Sequence, residues 1–358
     1  MNRNNGGASP FVTGPNSLST GGNSGDQLGY RMTLGGSFGA YDVEAIGSQV
    51  DGWSSLKTGT LTNPLVFDDT ANNPVVVAAP PANTLAFTNS LFDAATLTTV
   101  EDNESERLKA GAKYAISGSS QFQDYQVNFG TNPTQNPWRV SLGYRHMRLS
   151  EGSTVGITGT FDALDTATGV APGGVGNIGN DGLDNSSLTS AGYSLNSGTA
   201  NGFSAAGIPS TLKIYDTAGA RNILNGVQLS TGYRLFPDSL VKVELFGRGG
   251  LFHNYMQAKV GEALVGSGSD NSVYTRSYSA SRNGFAFGGT LGAKAVVPVT
   301  DYISLTAGYE ATYLANVALA SAQFGGLSNT ALGSRQYRVQ NHDNFLMHGV
   351  TVGMLLTW

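Results

Sequence analysis

The sequence predicts an all-β fold, an antiparallel up-and-down transmembrane barrel of about twelve strands, from three observations. Apolar residues step by two along successive segments, short and long connections nearly alternate, and the chain closes on an aromatic residue. Each observation has a physical basis. Lipid touches only every second side chain of a strand, a bacterial barrel has tight turns at one rim and long loops at the other, and aromatic rings favour the interface.

Composition sets the class. With 49 Gly, no Cys and 13% charged residues in 358, long soluble helices and a disulfide scaffold are poor solutions. Gly, Asn, Ser and Thr suit strands joined by many turns. The 40% of apolar residues are scattered, and no stretch approaches the ~20 in a row that a spanning helix needs. A formal charge of −5 argues against nucleic acid as a partner, because phosphate neutralisation takes a concentrated basic face.

The elements follow in order. Residues 1–26 form a polar N-terminal segment, MNRNNGGASPFVTGPNSLST at its start, with neither the basic opening nor the apolar core of a secretory signal. A barrel occupies 27–358. Its first hairpin joins Leu28, Tyr30, Met32 and Leu34 to Tyr41, Val43 and Ala45. Leu108, Ala110, Ala112, Tyr114 and Ile116 precede a strand ending at Val127 and Phe129. Trp138, Val140, Leu142 and Tyr144 connect to Val155, Ile157 and Phe161 through a turn at Ser150-Glu151-Gly152. Leu229, Thr231, Tyr233 and Leu235 connect to Val241, Val243, Leu245 and Leu251 through Pro237-Asp238.

The stretch 281–299 carries Phe285, Phe287, Leu291, Ala293, Ala295 and Val297 on one face, and turns at Thr300-Asp301 into Ile303, Leu305, Ala307, Tyr309, Ala311 and Tyr313. The last strand bears Leu346, His348, Val350, Val352, Met354, Leu356 and Trp358, with Trp358 in the interfacial girdle. Long polar loops are expected at about 51–104, 163–218, 258–280 and 317–342. About eleven strands are counted this way. Since bacterial barrels have an even number and a periplasmic start, a first strand and a signal peptide are expected upstream of Met1.

These residues resemble the outer-membrane β-barrel family abundant in planctomycetes, related to the Legionella major pore-forming outer-membrane protein. The resemblance rests on SPFVTGP at 9–15, WRVSLGYRHMRLSEG at 138–152, RNILNGVQLSTGYRLF at 221–236, ISLTAGYEATYLANVALASAQF at 303–324 and LMHGVTVGMLLTW at the end. It implies a porin-type barrel in a Gram-negative outer membrane, and independently a strand before the SPFVTGP stretch.

If the apolar face meets lipid, the other face lines a lumen. The pore-lining candidates are Arg31, Glu44, Arg107, Lys109, Lys113, Arg139, Arg145, Arg234, Lys242, Glu244, Arg248, Lys294 and Glu310, with Asp42 beside them. Mostly cationic, they would lower the barrier for small anions, or else fill a narrow barrel with ion pairs and hydrogen bonds.

The expected function is that of a porin-like channel for passive diffusion of small solutes; the alternatives are a plugged surface barrel acting as an adhesin or structural envelope protein and, after it, an outer-membrane hydrolase. The last is weakest, because His253-Asn254 and His342-Asp343 come without a nucleophile signature. Gly174, Gly176 and Gly179 make a GxGxxG pattern with no strand before it or helix after it, and Asp181 and Asp184 lack the closing carboxylate of a calcium loop. No cofactor, metal or catalytic residue is therefore expected. The expected partners are outer-membrane lipid, the barrel assembly machinery through the C-terminal strand, and small solutes.

Overall fold

The computed structural model describes residues 28–60, 111–131, 137–165, 192–198, 211–236, 239–267, 271–329 and 335–356. It also describes Thr189 and the short stretches 2–3, 12–13, 65–66, 85–87 and 104–108. The fold is an all-β antiparallel meander. Its nine long strands are β1 (Gly29–Phe38), β2 (Tyr41–Thr60), β3 (Lys113–Thr131), β4 (Trp138–Asp165), β5 (Thr211–Leu235), β6 (Lys242–Ser267), β7 (Val273–Pro298), β8 (Ile303–Val317) and β9 (Asp343–Leu356). Each pairs with its neighbour in sequence.

The connections at one rim are tight. Gly39 takes φ +63° in the two-residue turn between Phe38 and Tyr41, a backbone region that glycine enters without a steric penalty. At Thr300 the side-chain Oγ1 accepts from the Tyr302 and Ile303 amides at 3.2 and 3.1 Å, closing the expected turn.

The sheet curls, so strands far apart in the order meet through their inner faces. Phe122 of β3 stacks on Phe345 of β9 with ring centroids 5.8 Å apart. Arg31 of β1 donates to both carboxylate oxygens of Glu310 on β8, at 2.9 and 2.7 Å. No ladder joins β1 to β9 among the described residues. Asn2 and Arg3 pair antiparallel with His348 and Met347 on the free edge of β9.

Two expected hairpins are single strands. Ser150, Glu151 and Gly152 lie in the middle of the 28-residue β4, paired with Arg221, Ala220 and Gly219 of β5. The segment expected to hold a turn before Val127 is likewise continuous in β3. The visible count is therefore nine where eleven were expected. Most of 258–280 is strand, since β6 runs to Ser267 and β7 begins at Val273. Strand also reaches Thr60 in β2 and begins at Thr211 in β5, so the loops expected from 51 and up to 218 are shorter.

The cause is an inversion of polarity along each strand. In the lower part of β4, Trp138, Val140, Leu142 and Tyr144 point outward, between 48 and 64% exposed. Higher up it is the odd residues Met147, Leu149, Val155 and Ile157 that are apolar, and they point inward at 0–1% exposure. A change of parity reads as a turn when the chain is assumed to keep one apolar face. For the same reason Ala112, Ile116, Val155 and Ile157, expected on the lipid face, lie in an internal core.

Candidate functional site: the filled interior

Around the lower part of the sheet runs an outer belt of exposed apolar side chains, expected from the alternation. It includes Leu34, Phe129, Leu142, Leu229, Leu291 and Val352, the last 83% exposed. Aromatic rings mark its edges: Trp138 packs against Tyr233 at 4.7 Å and Tyr41 against Phe129 at 5.3 Å on the side of the tight turns. On the other side Tyr144 and His146 both bond to Asn225 Oδ1, at 2.8 and 2.7 Å.

The interior has two layers, one inside the belt and one from its upper edge upward. The lower one is polar. The Arg139 Nη2 lies 2.8 Å from Asp42 and 3.2 Å from Glu44. Arg145, with its side chain 2% exposed, donates through Nε and Nη2 to the two oxygens of Asp124, each at 2.9 Å. Its Nη1 crosses to Thr290 on β7 at 3.3 Å. Gln228 of β5 donates to Gln126 and Asn128 of β3 at 2.9 and 2.8 Å, and Arg248 of β6 donates to the same Gln126 oxygen at 3.3 Å. Arg139 and Arg145 thus have carboxylate partners, as burial in a low-dielectric interior demands, while Arg248 also covers the Phe246 ring at 5.0 Å. The cavity bounded by Glu44, Arg139, Glu244, Phe246 and Arg248 has a volume of about 20 Å³, room for roughly one water.

Above it the interior is apolar. Val50, Phe122, Met147, Leu149, Leu224, Phe252, Leu314 and Phe345 form one cluster, none more than 3% exposed. The Phe252 ring lies on glycines of three adjacent strands. A Cβ at Gly250 would stand 2.7 Å from its Cζ, one at Gly226 2.7 Å from its Cδ1, and one at Gly288 3.1 Å from its Cε2. A second cluster continues upward with Ile116, Ile157, Leu212, Met256, Val260 and Tyr274.

The connection from β8 to β9 turns into this space. Ala318 and Asn222 exchange two hydrogen bonds, at 2.7 and 2.8 Å, and the Ala320 amide donates to Glu151 at 3.1 Å. A 3-10 turn (Ala320–Gly326) places Phe324 in the upper cluster. The fully buried Gln323 amide nitrogen donates to the Leu319 and Gln340 carbonyls at 3.0 and 2.8 Å. Near the top, Arg276 and Glu262 form a buried ion pair at 2.8 Å, and the Arg276 guanidinium covers the Tyr193 ring at 4.3 Å. Burial, then the Glu262 carboxylate, hold the Tyr193 phenol well above its usual range.

Of the expected pore-lining residues, Arg31, Glu44, Arg139, Arg145, Arg248 and Glu310 point inward and belong to the network just described. Arg234 and Lys294 are both register partners of Glu244, near the lower mouth, and Lys242 is exposed at the rim. Lys113 is a correction. It is exposed on the outer face of β3, because the apolar residues beside it, Ala112 and Ile116, fill the core. The side chain of Arg107, together with Lys109, Trp358, Gly174, Gly176, Gly179, Asp181 and Asp184, lies outside the described residues.

Sequence reading missed Asp124, Gln126 and Asn128, although they alternate with outward Tyr125, Val127 and Phe129 and could have been found by parity. It also missed Glu262 and Arg276, which fell in a stretch taken for loop. His253 is exposed on the outer face. The described residues hold no group of three or more His, Cys, Asp or Glu placed for a metal. The chain matches no protein-family profile and no curated protein sequence.

Proposed function

We propose that the chain is a surface barrel of a Gram-negative-type outer membrane, sealed along its axis, with an anchoring or structural role in the envelope. The observation that carries this reading is the apolar cluster around Phe122, Leu224, Phe252 and Phe345, buried at the upper edge of the outer belt. A diffusion channel needs a continuous polar path, and the buried apolar side chains of this cluster argue against one among the described residues.

The belt supports the membrane part of the reading, since a water-exposed surface of this size rarely stays apolar. So does the resemblance to planctomycete-type barrels. The nine long strands among the described residues leave β1 and β9 running in the same direction, so an odd number of further antiparallel strands along that seam would complete an even barrel.

The test is conductance. Reconstituted in planar bilayers, the protein should insert without stepwise ion current, and liposomes carrying it should not swell in small sugars. Steady single-channel steps in the native chain would overturn the sealed reading. The second reading, passive diffusion with an anion preference, is favoured by the polar lower interior. It requires the 318–326 segment and the apolar cluster to give way, and the expected basic lining is largely consumed by Asp42, Glu44, Asp124 and Glu310.

A further inference from the structure

The outer face above the belt has a charge pattern unlike the chain as a whole. On β3 to β7 its described side chains include Lys113, Arg148, Lys213, Arg221 and Lys259, and no Asp or Glu. The acids of the same height, Glu151, Asp216 and Glu262, have the opposite parity and face the interior. In a chain of net charge −5, this is a strong segregation.

Three of the cations are diagonal neighbours. Arg148 pairs in register with Ile223, two residues from Arg221, and Lys259 pairs with Gly219, two residues on the other side. Diagonal neighbours in a sheet lie about 7–8 Å apart, within reach of one phosphate held between two cationic heads. None of the three makes an ion pair with a described residue.

Beside them the outer surface dips into a groove of about 630 Å³, lined by Ser150, Gly219, Tyr255, Gln257, Ser279 and Ser281 as well as Arg221 and Lys259. Gly219 leaves its floor open, and the hydroxyls and amide add hydrogen-bond donors. Glu151 borders the groove, but its carboxylate is turned inward to Ser120 and the Ala320 amide.

The position selects the ligand. Arg148 follows Tyr144 and His146 on the same strand face, at the belt's upper edge, where headgroups would begin. We infer that this groove binds the phosphate-bearing headgroup of an outer-leaflet lipid, with Arg221 and Lys259 neutralising the phosphate, Arg148 adding positive charge from the far side of Arg221, and the serines meeting the sugar hydroxyls. The inference rests on the membrane-spanning reading proposed above. Arginine and lysine near an anionic headgroup act by charge-assisted hydrogen bonds that salt weakens.

The full chain, refolded into phosphatidylcholine vesicles with and without a bis-phosphorylated glucosamine lipid, provides the test. Retention of that lipid is read by native mass spectrometry after detergent extraction. Replacing Arg148, Arg221 and Lys259 together by Gln should weaken retention on the order of a hundredfold, while Arg338→Gln, on the segment after the 3-10 turn, should not. If the triple variant fails to fold, the single exposed change Lys259→Gln should still show a loss of about fivefold.

Equal retention by native and variant proteins, both inserted in phosphatidylcholine, would overturn the lipid site and leave the membrane reading standing. Failure of the native chain to insert in any vesicle would overturn both. Pairing of two copies through this face, without lipid, would also refute the proposal.

Discussion

Phe252→Ala separates a solid interior from an open lumen. The side chain is 0% exposed, belongs to one cluster with Leu314 and Phe345, and rests its ring on Gly226, Gly250 and Gly288. Truncating a phenylalanine in such surroundings costs about 3–5 kcal/mol, from lost apolar burial and from the void left behind. The void should stay dry, because an apolar cavity on the order of 150 Å³ lined by aliphatic and aromatic side chains excludes water.

The expected result is therefore a large loss of stability with no current. Urea unfolding of vesicle-inserted protein, followed by tryptophan fluorescence and by gel mobility with and without heating, measures the first. Planar bilayers measure the second. In a water-filled lumen the same ring would be solvated on one side, so its removal would cost under about 1 kcal/mol and would raise conductance. That pair of outcomes would refute the packed interior.

Gly250→Ala places a methyl carbon 2.7 Å from the Phe252 ring and 2.7 Å from the Val227 carbonyl oxygen, so refolding yield should fall sharply and recover in part in the Gly250→Ala/Phe252→Leu double variant. Glu262→Gln leaves Arg276 charged at 5% exposure and should cost about 3–5 kcal/mol, while Glu262→Leu with Arg276→Met should recover most of it in the same unfolding assay. Burial raises the Tyr193 and Tyr337 phenols above 10, so their stabilisation is complete below about pH 10 and is lost as the pH climbs toward the raised values. Limited proteolysis of the 318–341 segment should accelerate only above pH 10. Leu305→Arg, in the belt at 53% exposure, should cost about 2–4 kcal/mol near the midplane, whereas Thr217→Arg on the outer face higher up should be nearly neutral. Equal effects from the two arginines would remove the case for lipid around the belt.

The belt was legible because outward side chains there depend on local parity alone. Val350, Val352 and Met354 lie outward, as do Leu305 and Tyr309, and the turn at 300–301 falls between the ladders where turn chemistry put it; the one expected at 237–238 lies outside the described residues. The packed interior was not legible, because it depends on which strands face one another across the sheet. Nothing local tells Arg145 of Thr290, or Gln126 of Gln228 and Arg248. The hairpin at Ser150-Glu151-Gly152 was misread for a different reason. Those residue types favour turns, yet Glu151 is held in the strand by its two ladders and uses its carboxylate to accept from Ser120 and Ala320.

The height at which parity changes is itself informative. On β4 the change lies between Tyr144 and Met147, on β5 between Leu224 and Val227, and on β6 between Leu251 and Phe252. The ladders place these points side by side: Tyr144 pairs with Val227 and Val227 with Leu251, Met147 pairs with Leu224, and Gly226 pairs with Phe252. On β7, Phe287 faces out opposite Leu251 while Ala286 faces in opposite Phe252. Internal packing alone would let each strand change where its own neighbours required. A common contour across four strands needs a cause outside the sheet, and the proposed passage from hydrocarbon to water at one height supplies it. On the proposed reading the outer surface below that contour stays apolar because it meets lipid. Above it the outside must be polar, and the hydrophobic burial that holds 25–28-residue strands together has nowhere to go but inward. On this argument the filled upper interior follows from strands far longer than the ~9–11 residues that cross a bilayer, and the proposed barrel would be sealed by its own means of staying folded.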